Sequence, residues 1–327
     1  MQDRMIARAK ALLADGTVNR VMGWQKGEFA YDITPAVFHS AEELDRDFVC
    51  NDFAASNVSK YLVKESRKEG KILAFLKPCD SYSFAQLMKE HRVIRENVYI
   101  IGIPSWGKTD FEKIKDRGLS GIKNIKDNGA DYFVETVYGD EVTVPKYEVM
   151  LDRCKDCKSK KIVVYDELLE ETNGDVIENH RFDEVANLEA MTPDERFAFW
   201  RNELSRCIRC NACRNVCPAC TCEKCVFDNR DSGVENKAAA DSFEENMFHI
   251  IRAFHVAGRC TDCGECSRVC PQHIPLHLLN RKFIKDMNEL YGDFQAGAAE
   301  QIRHPVTDYR AEDAEPGVIY TRGGTGR

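Results

Sequence analysis

Two stretches of the chain repeat one cysteine rhythm. Cys207, Cys210, Cys213 and Cys217-Pro218 read C-x2-C-x2-C-x3-C-P, and Cys260, Cys263, Cys266 and Cys270-Pro271 read it again. Of fifteen cysteines in 327 residues, eleven lie between positions 207 and 270, and two more form a C-x2-C at Cys154 and Cys157. Disulfide scaffolds are short secreted chains, and this long chain opens on a charged, amphipathic "MQDRMIARAKALLADG" without a signal-peptide core. Disulfides do not need such tight spacing, whereas metal ligation does. The cysteines are therefore read as metal ligands.

The repeated run is the one that ligates paired [4Fe–4S] clusters in bacterial ferredoxins, where the fourth cysteine of each run serves the other cluster. Three thiolates two residues apart wrap one corner of a cubane, and the proline turns the chain away after the fourth. The expected ligands are Cys207, Cys210, Cys213 and Cys270 for one cluster, and Cys260, Cys263, Cys266 and Cys217 for the other. Structural zinc favours two separated pairs, so zinc fits these eight poorly. The runs stand 42 residues apart, and their surroundings read as helical. Thr192, Pro193 and Glu195 form a capping box with proline at the first helical position, and Ser242 with Glu245 caps "ENMFHIIRAFHVAG". On that second helix Phe248, Ile251 and Phe254, with Ile250 and Val256 alongside, are expected to pack into the core. The module resembles the α-helical ferredoxins of heterodisulfide reductase and succinate dehydrogenase type complexes.

The first 190 residues alternate differently. Strands are expected at 18–24, 71–77 and 97–103, and helices at 40–48 (Ser40 and Glu43 as a capping box), 57–70 and 81–92. This order argues for a mostly parallel sheet covered by helices. The Gly-Asp pair within 131–146 marks a hairpin, at the sheet edge or in a small subdomain. The acidic "ELLEETNGDVIENH" reads as a linker. The expected fold is an α/β domain with a mostly parallel sheet over 1–175, a linker over 176–191, a mainly α-helical dicluster ferredoxin domain over 192–292, and a tail over 293–327.

Seven cysteines remain: Cys50, Cys79, Cys154, Cys157, Cys220, Cys222 and Cys225. Cys79 follows a strand at a helix N-terminus, a position that lowers thiol pKa and where ligands bind in parallel sheets. "LKPCDS", "VYIIGIPS" and "DRCKDCKSKKIVVYDEL" follow one another in the order found in beta subunits of deazaflavin-reducing hydrogenases and formate dehydrogenases, and residues 10–170 resemble that family. The resemblance implies one more [4Fe–4S] cluster in this domain, with FAD and deazaflavin chemistry in many members. Ser105 stands where the family has its second cysteine. The family's glycine-rich flavin stretch is missing before residue 20, and no G-x-G-x-x-G occurs, which weighs against FAD. A third metal site is expected from Cys154, Cys157, Cys222 and Cys225. Alternatively Cys79, Cys154 and Cys157 are completed by one cysteine of the 220–225 group, such as Cys220. Zinc also fits such a site. Cys79 and Asp80 are candidate cofactor contacts, and Cys50 reads as a core thiol. His249 and His255 do not share a helix face, and His273 and His277 flank a cluster run, as packing residues or through hydrogen bonds to it.

A net charge of −8 gives no field favouring nucleic acid, and the longest apolar runs, "VYIIGI" and "KIVVY", are strand-sized and too short to span a bilayer. No acid–base or nucleophilic constellation stands out. The chain reads as an iron–sulfur electron-transfer subunit of an anaerobic, cytoplasmic oxidoreductase complex. Its partners would be flavin- or metal-containing subunits of hydrogenase, formate dehydrogenase or heterodisulfide-reductase type. The alternatives are a flavoenzyme exchanging hydride with deazaflavin or nicotinamide, and a zinc-stabilised binding module.

Overall fold

A computed structural model of the chain describes residues 1–158, 161–171, 180–229, 242–298 and Ala311. The described residues divide into two compact units, one from 1–84 with 91–179, the other from 85–90 with 180–327.

In the first unit, α1 (Gln2–Ala14) precedes β1 (Arg20–Lys26), β2 (Ile33–Phe38), α2 (Ala41–Asp47), α3 (Leu62–Glu65), β3 (Ile72–Leu76), α4 (Pro78–Lys89) and β4 (Val98–Gly102). Then come α5 (Phe111–Lys115), β5 (Ile122–Asp127), β6 (Asp131–Thr136), β7 (Glu141–Pro145), α6 (Asp152–Lys155) and β8 (Glu167–Leu168). The main sheet runs β2-β1-β3-β4-β8, parallel throughout except for the antiparallel edge strand β2. Every residue of β3 is fully buried, as its unbroken apolar run requires of a central parallel strand covered on both faces. The hairpin expected at 131–146 forms, and with β5 it makes a separate three-stranded antiparallel sheet. Its core gathers Ile114, Ile125, Tyr132, Val134, Val144 and Val149.

Two expectations change here. The helix expected over 57–70 shrinks to α3, and Asn57 and Ser59 spend their hydrogen bonds outside a helix. Asn57 Oδ1 accepts from the Ser59 amide at 3.0 Å, and Ser59 Oγ donates to the Asp80 carbonyl at 2.6 Å, bonds that compete with helical ones. The acidic stretch read as linker supplies β8, while "KIVVY" just before it is not a strand. The capping box at Ser40 is displaced by one residue. Ser40 Oγ accepts from the Glu43 amide, but Glu43 Oε2 accepts from the His39 amide instead of Ser40.

The second unit is helical: α7 (Asp183–Ala190), α8 (Pro193–Ser205), α9 (Ala212–Val216), α10 (Ser242–Val256), α11 (Glu265–Arg268) and α12 (Leu276–Tyr291). The helix α7 falls within the stretch 176–191 read as linker. The Thr192–Glu195 box closes reciprocally at the start of α8, satisfying two amides that a helix end otherwise leaves bare. Past α12, Phe294, Gln295 and Ala296 are buried, so the expected tail begins as packed structure; nearly all of it beyond 298 lies outside the described residues. The stripe expected on α10 is rotated. Phe248, Ala253 and Val256 are buried and Ile251 packs behind them, but Ile250 and Phe254 are exposed. Phe254 instead meets Phe283 of α12 edge-on, and Ile250 lines an apolar groove of about 810 Å³ bordered by Phe197, Trp200 and Leu279. The positions they vacate belong to His249 and Arg252, both buried.

Candidate metal centre

The two cysteine runs share one backbone. In the first, Arg209 and Asn211 take φ of +54° and +62°; in the second, the matching Asp262 and Gly264 take +57° and +64°. A left-handed residue before the second cysteine and another after it fold each loop back on itself, and a short helix, α9 or α11, then carries the third cysteine. Such conformations strain ordinary L-residues, and Gly or Asn relieves it best. The curled loops turn amides onto sulfur. The Arg209 amide donates to Cys207 Sγ at 3.4 Å, and the amides of Asp262, Glu265 and Ser267 donate to Cys260, Cys263 and Cys266.

The four thiols expected to hold the first cluster line a single small cavity, Cys207, Cys210 and Cys213 from one run with Cys270 from the other. Cys213 and Cys266 share one packed core with Phe248 and Ile274, bordered by Cys207, Cys225 and Cys270. Burial pushes the Cys213 thiol up to about 12 and raises Cys207, Cys260, Cys263 and Cys266 as well. Sulfurs this hard to ionise persist as thiolates only against a bound cation such as iron. This donor set, with N–H groups already aimed at sulfur, fits an iron–sulfur cubane. Among the described residues, no three His, Cys, Asp or Glu side chains form a single-ion site.

Three polar side chains complete this surrounding; sequence reasoning weighed His249 only as a ligand partner of His255 and passed over the other two. His249 Nε2 lies 3.3 Å from Cys207 Sγ. Burial, then Arg252 and Arg209, lower its pKa to about 3, so the ring is neutral. A neutral ring has one N–H; Nδ1 has no partner among the described residues, so Nε2 is the donor to sulfur. Asn280 Nδ2 approaches Cys266 Sγ at 3.7 Å, and Arg252 sits one turn beyond His249 on the same face of α10. The available signal was a His and an Arg three apart inside the otherwise apolar run 247–254. His277 bonds Ser267 Oγ at 2.8 Å, a packing role. The loop of the second run is clamped by Asp262, whose carboxylate meets Arg281 Nε at 3.0 Å and Arg181 Nε at 2.7 Å.

In the first unit, Cys79 follows β3, and Cys157 is close enough to act on it electrostatically. Cys79 stands in the first turn of α4. Against expectation its pKa is raised, because burial and the neighbouring Asp80, with Cys157, outweigh the lowering by Lys77 and Arg153. Asp80 is fully buried, its Oδ2 2.9 Å from Lys77 Nζ and accepting from the Lys77 amide. Backbone bonds join residues 108–110 to 149–151, and Arg153 Nη2 donates to the Ala55 carbonyl at 2.8 Å. These bonds hold α6, with Cys154, against the loop of Cys50. Cys50 is buried, as expected of a core thiol. Lys108, its pKa lowered by burial, feels both Cys50 and Cys154 and donates to the Asn51 carbonyl at 3.0 Å. Lys77, Lys108 and Arg153 are all buried here, Lys77 paired with Asp80 and the other two bonded to backbone carbonyls. Cys220, Cys222 and Cys225 belong to the other unit, Cys222 exposed and Cys225 packed beside Phe227. No helix among the described residues is long and apolar enough to cross a membrane.

Residues 203–274 match the family described as 4Fe-4S dicluster domain. Across most of its length the chain is similar to the F420-dependent formate dehydrogenase subunit beta of Methanocaldococcus jannaschii, at 23% identity over 84% of this chain and 87% of that one. It is similar also to the F420-dependent formate dehydrogenase 1 subunit beta of Methanococcus maripaludis, at 25% identity over 76% of this chain and 78% of that one. Among solved structures, a chain of the F420-reducing [NiFe] hydrogenase complex from Methanosarcina barkeri aligns with a TM-score of 0.37 and 14% identity, over 48% of this chain and 59% of that chain.

Proposed function

Because the chain is a homologue of the formate dehydrogenase beta subunits and carries a 4Fe–4S dicluster domain, we propose that it is an iron–sulfur electron-transfer subunit of a cytoplasmic, anaerobic oxidoreductase complex. The observation that carries this reading is the pair of cysteine loops with matching left-handed residues, four of whose thiols enclose one cavity. Cys207, Cys210, Cys213 and Cys270 hold one [4Fe–4S] cluster, and Cys260, Cys263, Cys266 and Cys217 hold the other. The clusters supply one-electron relay sites. The residues around them exclude water, aim N–H groups at sulfur and fix the local charge, the levers by which a protein sets a cluster's potential.

Cys154 and Cys157 of the first unit hold a third [4Fe–4S] cluster, completed by Cys222 and Cys225 or by Cys79 with one cysteine of the 220–225 group such as Cys220. The partners are redox subunits of formate dehydrogenase, hydrogenase or heterodisulfide-reductase type, and electrons pass between them and this cluster.

The test is iron, acid-labile sulfide, zinc and flavin analysis of one anaerobic preparation. Iron and sulfide in cubane ratio without zinc are expected. Zinc without sulfide would overturn the proposal in favour of a binding module. Bound FAD with deazaflavin-dependent viologen reduction would make the chain a flavoenzyme in its own right. Cys79→Ser and Cys222→Ser, compared for iron content, identify the remaining ligands of the third site.

A further inference from the structure

The helix α10 lies in the segment that separates the two cysteine runs, and it carries a cation with no evident reason to be inside a protein. Arg252 is 2% exposed. Its Nε, Nη1 and Nη2 have no hydrogen-bond partner among the described residues. Long polar side chains ordinarily keep their charged ends in water, and a buried charge without a partner is among the costliest features a fold can hold. A guanidinium cannot escape by losing its proton. Something anionic must therefore face it.

The surroundings identify the anion. Phe248, one turn before Arg252, packs in the same core as Cys213 and Cys266, and α9 and α11, which carry those two cysteines, pack against each other. The sulfurs of Cys266, Cys213, Cys217 and Cys220 lie within electrostatic reach of the guanidinium. Cys213 belongs to the first cluster, while Cys266 and Cys217 belong to the second. The cation thus acts on ligands of both.

We propose that Arg252 is a counter-cation shared by the two [4Fe–4S] clusters, placed between them and raising both reduction potentials together. A cubane held by four thiolates is a net anion, and reduction adds one electron and one more negative charge. A fixed cation beside it stabilises the reduced form more than the oxidised one, so the potential rises without any proton being taken up. The long insert between the runs therefore has a purpose: it brings in a helix whose inner face serves both clusters.

This inference rests on the assignment of the eight cysteines to two cubanes, and the experiment separates the two claims. Full-length wild-type, Arg252→Gln and Arg252→Lys proteins are purified anaerobically, assayed for iron and sulfide, and titrated against potential with electron paramagnetic resonance. In Arg252→Gln both potentials are expected to fall, each by a tenfold change or more in its one-electron equilibrium, about 59 mV. Arg252→Lys, which keeps the charge but not the fork, holds both near wild type. A glutamine variant with both clusters present and either potential unmoved overturns the proposal, as does a lysine variant shifted as far as the glutamine one. If Arg252→Gln fails to take up both clusters, the lysine variant decides: full loading at wild-type potentials supports a role for charge, and failure to load refutes it. Wild-type protein lacking iron and sulfide for two cubanes sinks the functional reading, and this one with it.

Discussion

Replacing Asp262 by Asn tests how the second cysteine loop is held. Asp262 lies between Cys260 and Cys263 in a left-handed conformation, and its carboxylate meets Arg281 and Arg181 with all three side chains at most 7% exposed. Burial pushes the Asp262 pKa up, but the two guanidiniums outweigh it and hold it below the usual carboxylate range. Asparagine keeps the shape and one accepting oxygen, removes the charge, and turns an NH2 group towards two buried cations. Breaking a buried pair by removing one partner costs about 3–5 kcal/mol. For a unit of this size that lowers the melting temperature by roughly 6–20 °C. The assay is anaerobic calorimetry of the cluster-loaded full chain, with visible iron–sulfur absorption identifying which transition belongs to the second unit. Removing all three charges at once, with Arg181→Met, Asp262→Leu and Arg281→Met, should cost less than Asp262→Asn alone, because no charge is stranded. An Asp262→Asn protein that melts within about 3 °C of wild type, its absorption intact, would refute the reasoning.

Three further outcomes are expected. Asn211→Val should destabilise the second unit by about 1–2 kcal/mol, because a β-branched residue resists positive φ, whereas Asn211→Gly should be close to neutral; paired anaerobic melts distinguish them. His249→Phe should lower the potential of the first cluster and leave the second unmoved, since its hydrogen bond reaches Cys207 alone; a redox titration reads both. Burial raises the Glu189 pKa, but Lys282 and Lys285, at 2.6 and 2.8 Å, pull it below the usual value. A carboxylate depressed in the folded state stabilises above its unfolded pKa and loses that contribution as pH falls through the folded value. Glu189→Gln should therefore cost up to about 1 kcal/mol near neutral pH, less in high salt, and nothing in acid, as melting temperatures across pH would record.

What could be read from the sequence followed from how local its cause was. The 4Fe-4S dicluster character of the second unit was legible because ligand spacing is a short-range covalent matter. The buried strands β1, β3 and β4 were legible from their apolar runs. By contrast β8, two residues long with Glu167 in it, becomes a strand only because β4 offers it a free edge, and no local pattern announces that. The face of α10 was misjudged because apolar residues were assumed to point inward. There the interior is itself charged, and His249 and Arg252 displace Ile250 and Phe254 to the outside. Cys79 shows the same limit: a helix terminus and the adjacent Asp80 are visible in the sequence, but the burial that raises the thiol's pKa comes from the fold.

The matched left-handed residues bear on how such motifs are searched for. A pattern written as cysteines and spacers treats every spacer position as free. Here two spacer positions in each run are constrained by the backbone, and after the second cysteine the chain has Asn211 in one run and Gly264 in the other, the two residue types that accept positive φ most readily. A search demanding Gly or Asn at that position would discard chance cysteine clusters that happen to have the right intervals. The intervals record how far apart the thiols can stand, and the left-handed residue records whether the chain can turn its amides to meet them.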